Sequence, residues 1–308
     1  MKEWGLTFYV RVSKPRLVGE WLFLIFSWGL SPAIEKTVAQ NLLLATKVHG
    51  ISAQLSSAFT AMSLDRFSAQ AAQYARYRID YPPELYDWLL PPVPGRTRAW
   101  DCATGNGQVA AVLAQHFQEV EATDLSANQL MQAPPLPNVH YQVATAENTP
   151  FPDERFDLIT VAQAVHWFDQ AAYHKEVRRV SGPGTVLAEW GYGLVQTGEP
   201  ALDALILHFH NETVGPYWDA NRWHVLDEYA RLQFPFARVR RAHFAVRKQW
   251  SAEWFLDYLR TWSAVANYGK QHDGADAVLL VAEELTQLWG EGAREVVFPV
   301  FARAGVVS

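Results

Sequence analysis

Four small-to-polar positions and one downstream acid have the types and spacing to hold a ligand by its polar groups. Asp101 ends the apolar run in R-A-W-D-C-A-T-G-N-G-Q-V-A (98–110). Ala103, Gly105 and Gly107 form a turn of small residues, and Asp124 closes the next strand-like run. Gly105 and Gly107 carry no Cβ, so a ligand can approach their backbone and φ can be positive. The helix expected behind them aims unpaired N–H groups and a positive dipole end at the loop. Asp124 stands at the distance along the chain that suits a carboxylate gripping the two hydroxyls of a ribose.

Two ligands could use this arrangement. Gly105-x-Gly107-x-x-Ala110 satisfies a dinucleotide fingerprint formally, and that match alone is weak. S-adenosylmethionine suits the residues better. It lacks a pyrophosphate but carries an amino-acid end, a ribose and an adenine, and Asp101 is useful beside a charged amino group. The alternative is a glycine turn that only lets strand and helix pack.

These residues need a scaffold that brings strand ends together. Apolar runs predict strands over 119–124, 139–144, 156–161 and 184–190, with helices over 106–117, 126–132 and 169–180 between them. Ser126 is a natural N-cap. Strands alternating with helices imply an α/β, doubly wound, mostly parallel sheet, whose ligands bind at the carboxyl ends of the strands. After Trp190 the alternation breaks. Helical stretches over 191–235, 254–262 and 275–289 read as a cap, while 236–246 (an edge strand) and 295–302 (a terminal strand) complete the sheet.

Successive motifs carry a family resemblance: D-C-A-T-G-N-G-Q (101–108), A-T-D-L-S (122–126), A-E-N-T-P-F (146–151), F-D-L-I-T-V-A-Q-A-V-H-W-F-D (156–169) and E-W-G-Y-G (189–193). In these the chain resembles class I S-adenosylmethionine-dependent methyltransferases, which implies a Rossmann-like fold with an antiparallel terminal strand. The likeness is to the small-molecule branch with a methyltransferase type 11 domain, including trans-aconitate methyltransferase-like proteins. It begins near Leu64 and runs to the C-terminus. Ala103 stands where the family usually has the first loop glycine, and residues 181–185 replace the usual Lys-Pro-Gly-Gly turn. Alanine at 103 is tolerable if φ is negative there and strained if φ is positive.

The resemblance, with the chemistry of each side chain, implies a set of roles. Asp101, Ala103, Gly105, Asn106 and Gly107 form the cofactor loop. Asp124 takes the ribose hydroxyls, Leu125 flanks the adenine, Ala146 and Glu147 sit by the adenine amino group, and Gln163 begins the acceptor side. Tyr74 and Arg78, from a segment that covers the pocket in similar proteins, are expected at the methionine end of the cofactor or on the acceptor. Trp167, Trp190, Tyr192 and Trp218 are expected to supply aromatic walls, since a sulfonium is attracted to aromatic faces. His166, just past the 156–161 strand, is the candidate base or positioning group. A carboxylate acceptor would need no base.

Composition narrows the partners. The chain has 308 residues, 49% hydrophobic, with a net charge of −6. No basic face is visible, which argues against a nucleic acid acceptor. The single cysteine, Cys102, forms no internal disulfide and reads as a small core residue. No acidic or cysteine partner accompanies His208-x-His210, so no metal site is expected. Residues 1–61 differ from the rest, with six Lys/Arg and three Glu. Their apolar run, 21–30, is shorter than the roughly 20 residues of a membrane span. They are read as an extension outside the catalytic fold, with a membrane-surface or partner-binding arm as the alternative. The catalytic domain is then 62–308, with its cofactor core about 96–190 and its acceptor cap and sheet completion about 191–308. The expected protein is a cytoplasmic methyltransferase acting on a small organic molecule. A nicotinamide-dependent oxidoreductase and a cofactor-binding protein without turnover are the rivals.

Overall fold

The computed structural model describes residues 79–307, which belong to one unit spanning Leu64–Ser308. The expectations for residues 1–61, Tyr74 and Arg78 lie outside the described residues. Seven strands form one sheet: β1 (Arg98–Cys102), β2 (Glu119–Asp124), β3 (Val139–Val143), β4 (Phe156–Ala162), β5 (Ser181–Tyr192), β6 (Ala237–Trp250) and β7 (Arg294–Val306). Their order is β3-β2-β1-β4-β5-β7-β6. β1 to β5 run parallel, and β7 lies antiparallel between β5 and β6. This is the doubly wound Rossmann-like sheet expected from the alternation, with an antiparallel terminal strand.

Why β1 is central follows from its composition. Ala99, Trp100, Asp101 and Cys102 are all buried, as a strand covered by helices on both faces requires. Trp100 donates from Nε1 to Thr123 Oγ1 at 2.9 Å and packs against Phe151 and Phe156. Burying a side chain of this size contributes about 3 kcal/mol. One face of the sheet carries α1 (Pro83–Leu89) and α2 (Gln108–Leu113); the other carries α4 (Gln170–Val180). α3 (Ala127–Leu130) starts at the expected cap, where Ser126 Oγ accepts from Gln129 N at 3.2 Å. Asp169 caps α4 the same way, through Ala171 N and Ala172 N.

The second half holds α5 (Pro200–His208), a π-turn at Phe209–Thr213, short 3-10 turns at Gly215–Tyr217 and Ala220–Arg222, α6 (Trp223–Leu226), α7 (Ala252–Arg260), α8 (Ser263–Gln271) and α9 (Leu279–Trp289).

Several boundaries differ from the sequence reading. α2 starts at Gln108, because Gly107 is left-handed (φ 79°), and ends at Leu113, where short-range bonds such as His116 N to Leu113 O tighten the chain. β5 begins at Ser181, since the Ser181–Thr185 turn joins the strand. β6 runs on to Trp250 because its pairing with β7 continues through Gln249↔Glu295 and Trp250↔Arg294. α8 was not expected, since Gly269 interrupts its pattern.

Candidate active site

The order β3-β2-β1-β4-β5 reverses direction between β1 and β4, and in sheets of this kind ligands bind outside the carboxyl ends there. The motif residues gather at those ends. Gly105 N donates to Asp124 Oδ2 at 2.8 Å, and Ser126 N donates to Asp124 Oδ1 at 2.8 Å. One carboxylate thus ties the bend after β1 to the bend after β2. Leu125 lies half-buried between Asp124 and the Ser126 cap.

The bend itself is left-handed at three places: Ala103 (φ 54°), Gly105 (φ 59°) and Gly107 (φ 79°). A Cβ at Gly107 would lie 2.7 Å from the Tyr141 hydroxyl, so only glycine fits there. Asn106 is 9% exposed, and its Oδ1 is buried without a hydrogen-bond partner. An acceptor left orphaned beside a glycine bend is what a ligand amino or hydroxyl group would satisfy.

Ala103 therefore stands in the strained conformation, not the tolerable one. Replacing Ala103 with glycine is expected to stabilise the fold by about 0.5–1 kcal/mol, because the relieved strain outweighs the added freedom of the unfolded chain. Thermal unfolding measures this as a melting point a few degrees higher. An unchanged or lower melting point would show that the backbone at 103 is unstrained.

Asp101 is tied into the loop and to β4. It is 1% exposed. Its carboxylate accepts from Thr160 Oγ1 at 2.8 Å, Ala110 N at 3.1 Å and Thr104 Oγ1. It braces the loop and the start of α2. Glu147, half-buried beside the buried Ala146, accepts from Asp169 N at 3.0 Å and so joins the end of β3 to α4. Gln163 is left-handed (φ 57°), and its side-chain amide pairs with the backbone of Tyr192 in both directions, at 3.2 Å each. It clamps the end of β4 to the end of β5. A Cβ on Gly191 would lie 2.5 Å from its Oε1, which explains the glycine in E-W-G-Y-G.

His166 lies in a 3-10 turn, Val165–Trp167, directly after β4. It is 6% exposed, packs on Trp167, and sits 3.4 Å through Nδ1 from the Tyr229 hydroxyl. Burial pushes its pKa from 6.5 down to about 3, with Arg222 and His224 adding in the same direction. The imidazole is neutral at physiological pH and a weak base. Because the folded value lies below the unfolded one, its contribution to stability is complete above about pH 6.5 and is lost as pH falls toward 3. Between about pH 6.5 and 5 this one group should remove about 1.5–2 kcal/mol. Chemical denaturation of His166→Gln beside the parent chain at both values tests this. Equal acid sensitivity of the two would overturn it.

The remaining aromatic residues are spread out. Trp190 is 0% exposed, with Tyr81 edge-on at 5.6 Å, so it has no surface to offer as a wall. Tyr192 packs on Phe298. Trp218 belongs to the cap, where its Nε1 donates to His210 O at 3.0 Å and its ring lies 4.9 Å from His210 and 5.5 Å from Trp262.

Sequence reasoning missed a second group behind His166. Arg303 on β7 and Glu189 on β5 are both buried, with Nη2 and Oε2 2.7 Å apart. Arg303 Nη1 also donates to Tyr229 O and Leu232 O at 2.9 Å, and Tyr173 OH donates to Glu189 Oε1. This network holds Tyr229 against His166. An arginine inside the apolar run F-A-R-A was the available signal. Among the described residues, no group of three or more His, Cys, Asp or Glu forms a metal cluster, and no helix is long and apolar enough to cross a membrane.

A sheet of this order, with a glycine bend and an acid at adjacent strand ends, defines an α/β class that binds nucleoside-bearing cofactors. Residues 100–188 match the family described as a methyltransferase domain. A Dictyostelium discoideum protein provisionally named a methyltransferase is 31% identical over 210 residues, 67% of this chain and 80% of its own. A solved structure from Anaeromyxobacter dehalogenans, provisionally described as a type II methyltransferase, is 37% identical, with a TM-score of 0.68, covering 75% of this chain and 98% of that one. An uncharacterized methyltransferase of Mycobacterium tuberculosis is 38% identical over 124 residues, 40% of this chain and 50% of its own. The chain belongs to this methyltransferase family.

Proposed function

We propose that the protein transfers a methyl group from S-adenosylmethionine to a small organic acceptor, with carboxylates the favoured class. The observation that carries the cofactor reading is the Asp124 carboxylate lying 2.8 Å from Gly105 N, at the mouth of the bend. The orphaned Oδ1 of Asn106 and the close approach at Gly107 fit the same ligand. Gly105, Asn106 and Gly107 would hold the amino-acid end, Asp124 the ribose hydroxyls, and Leu125, Ala146 and Glu147 the adenine side. Asp101 would act through the loop it braces. Tyr74 and Arg78 would close the pocket, and Trp167, Tyr192 and Trp218 would border the acceptor.

When bound, the cofactor supplies a methyl carbon made electrophilic by a positive sulfur. The chain's residues contribute position and exclusion of water, from which much of the acceleration in an in-line displacement can come. A histidine held neutral near pKa 3 is a poor proton acceptor, so His166 orients the acceptor instead of deprotonating it. An acceptor already ionised at neutral pH, such as a carboxylate, suits a site with a weak base.

The test is calorimetric titration with S-adenosylhomocysteine, followed by labelled methyl transfer from S-adenosylmethionine to a panel of small organic acids. Binding together with transfer is expected. His166→Ala should lower turnover about tenfold or more while leaving cofactor affinity within about twofold. Failure to bind S-adenosylhomocysteine would overturn the cofactor reading, and unchanged turnover would remove His166 from the acceptor site.

A further inference from the structure

We infer that Arg222 is the anchor for the acceptor's carboxylate, a role that rests on the acceptor side of the site lying at His166. Nine arginines in the described residues are buried or half-buried. Eight of them spend the guanidinium on hydrogen bonds: Arg98 on Glu119, Arg155 on Glu121, Arg179 on Glu176, Arg260 on Asp276, Arg303 on Glu189, and Arg96, Arg240 and Arg294 on backbone carbonyls. Of these nine, Arg222 alone makes no side-chain hydrogen bond and no ion pair among the described residues. Among the described residues its guanidinium is held by the face of Trp218, with the guanidinium carbon 5.2 Å from the ring centroid.

Its place in the fold gives that free fork a purpose. The turn Ala220–Arg222 packs against the turn Val165–Trp167, which carries His166. Arg222 is close enough to act electrostatically on His166, on His210 and on Tyr229. Each of these is neutral where it sits, so none is a counter-ion. His210 is 3% exposed. Its Nδ1 faces Asn211 Oδ1 at 2.7 Å, and its Nε2 is buried without a partner. The π-turn that carries it is a rare conformation found most often at functional sites.

A half-buried cation without an anion is costly, and a planar N–H fork matches the two oxygens of a carboxylate. Stacking on Trp218 fixes the plane of the fork before the ligand arrives. A carboxylate held there lies beside the neutral His166, and its charge compensates both Arg222 and the cationic donor. The acceptor is therefore an organic acid, and Arg222 is what distinguishes it from a neutral analogue.

The full chain, loaded with S-adenosylhomocysteine, is titrated with acetate, succinate, citrate, benzoate and octanoate, each against its amide. At least one acid should bind well above its amide. Arg222→Gln should weaken that acid by about 30- to 100-fold, the loss of a charge-assisted pair, with S-adenosylhomocysteine affinity unchanged and the melting point not lowered. Arg222→Lys should recover part of the loss through its retained charge. If no acid outbinds its amide, or if Arg222→Gln binds acids as the parent chain does, the assignment is wrong. Absence of S-adenosylhomocysteine binding would instead overturn the cofactor reading, and the acid titration of the unloaded chain would still decide Arg222.

Discussion

Asp124→Ala should reduce affinity for S-adenosylhomocysteine by about 100-fold, the equivalent of about 3 kcal/mol, if the cofactor reading is right. The carboxylate carries two structural bonds before any ligand binds, to Gly105 N and Ser126 N, both at 2.8 Å. Removing it therefore loosens two bends and deletes the proposed partner of the ribose hydroxyls. Asp124→Asn separates these effects. Its amide oxygen can still accept from one backbone N–H, but the charge and the second acceptor are gone, so a loss of about tenfold is expected. Calorimetry supplies the affinities, and circular dichroism checks that the sheet survives. Affinity within about twofold of the parent chain for Asp124→Ala would remove the residue from the cofactor site.

Arg303→Met should be the most destabilising single change, by about 3–5 kcal/mol, because it strands Glu189 as an unpaired carboxylate at 0% exposure. Thermal unfolding should fall by roughly 10 °C for a unit of this size. Burial raises the pKa of Glu189, opposed by Arg303 and the Tyr173 hydroxyl, so removing the arginine leaves the raising cause unopposed on that side. The double change Glu189→Met/Arg303→Met should recover a large part of the loss, since a buried pair can often be replaced by apolar groups at little cost. If the single and double changes are equally unstable, the ion pair is not what holds this region. The single change should also loosen residues 229–233, since Arg303 gathers the carbonyls of Tyr229, Leu232 and Gln233, and so weaken the contact of Tyr229 with His166.

The two expected results rest on different kinds of contact. Gly105 and Asp124 are 19 positions apart, joined through one helix and one strand of a repeating unit. Glu189 and Arg303 are 114 apart and meet only because β7 inserts between β5 and β6. The first sort of pair follows from local pattern, and the second follows from where a late strand docks.

That contrast separates what the chain's order of residues determined from what packing decided. Local signals were enough for the alternation of β1 to β5, the glycine bend, the acid at the end of β2, the Ser126 cap and the existence of a last strand. Each depends on hydrophobic period, backbone conformation or a single capping oxygen within a few residues. The bonds of Asp101 to Thr104, Thr160 and Ala110, by contrast, depend on β4 lying directly beside β1 in register Asp101↔Thr160. The neutrality of His166, the burial of Trp190, the ion pair behind Tyr229 and the unpaired fork of Arg222 were likewise invisible beforehand. Burial and electrostatic environment are set by side chains brought together from distant segments, and no periodicity within one segment encodes them.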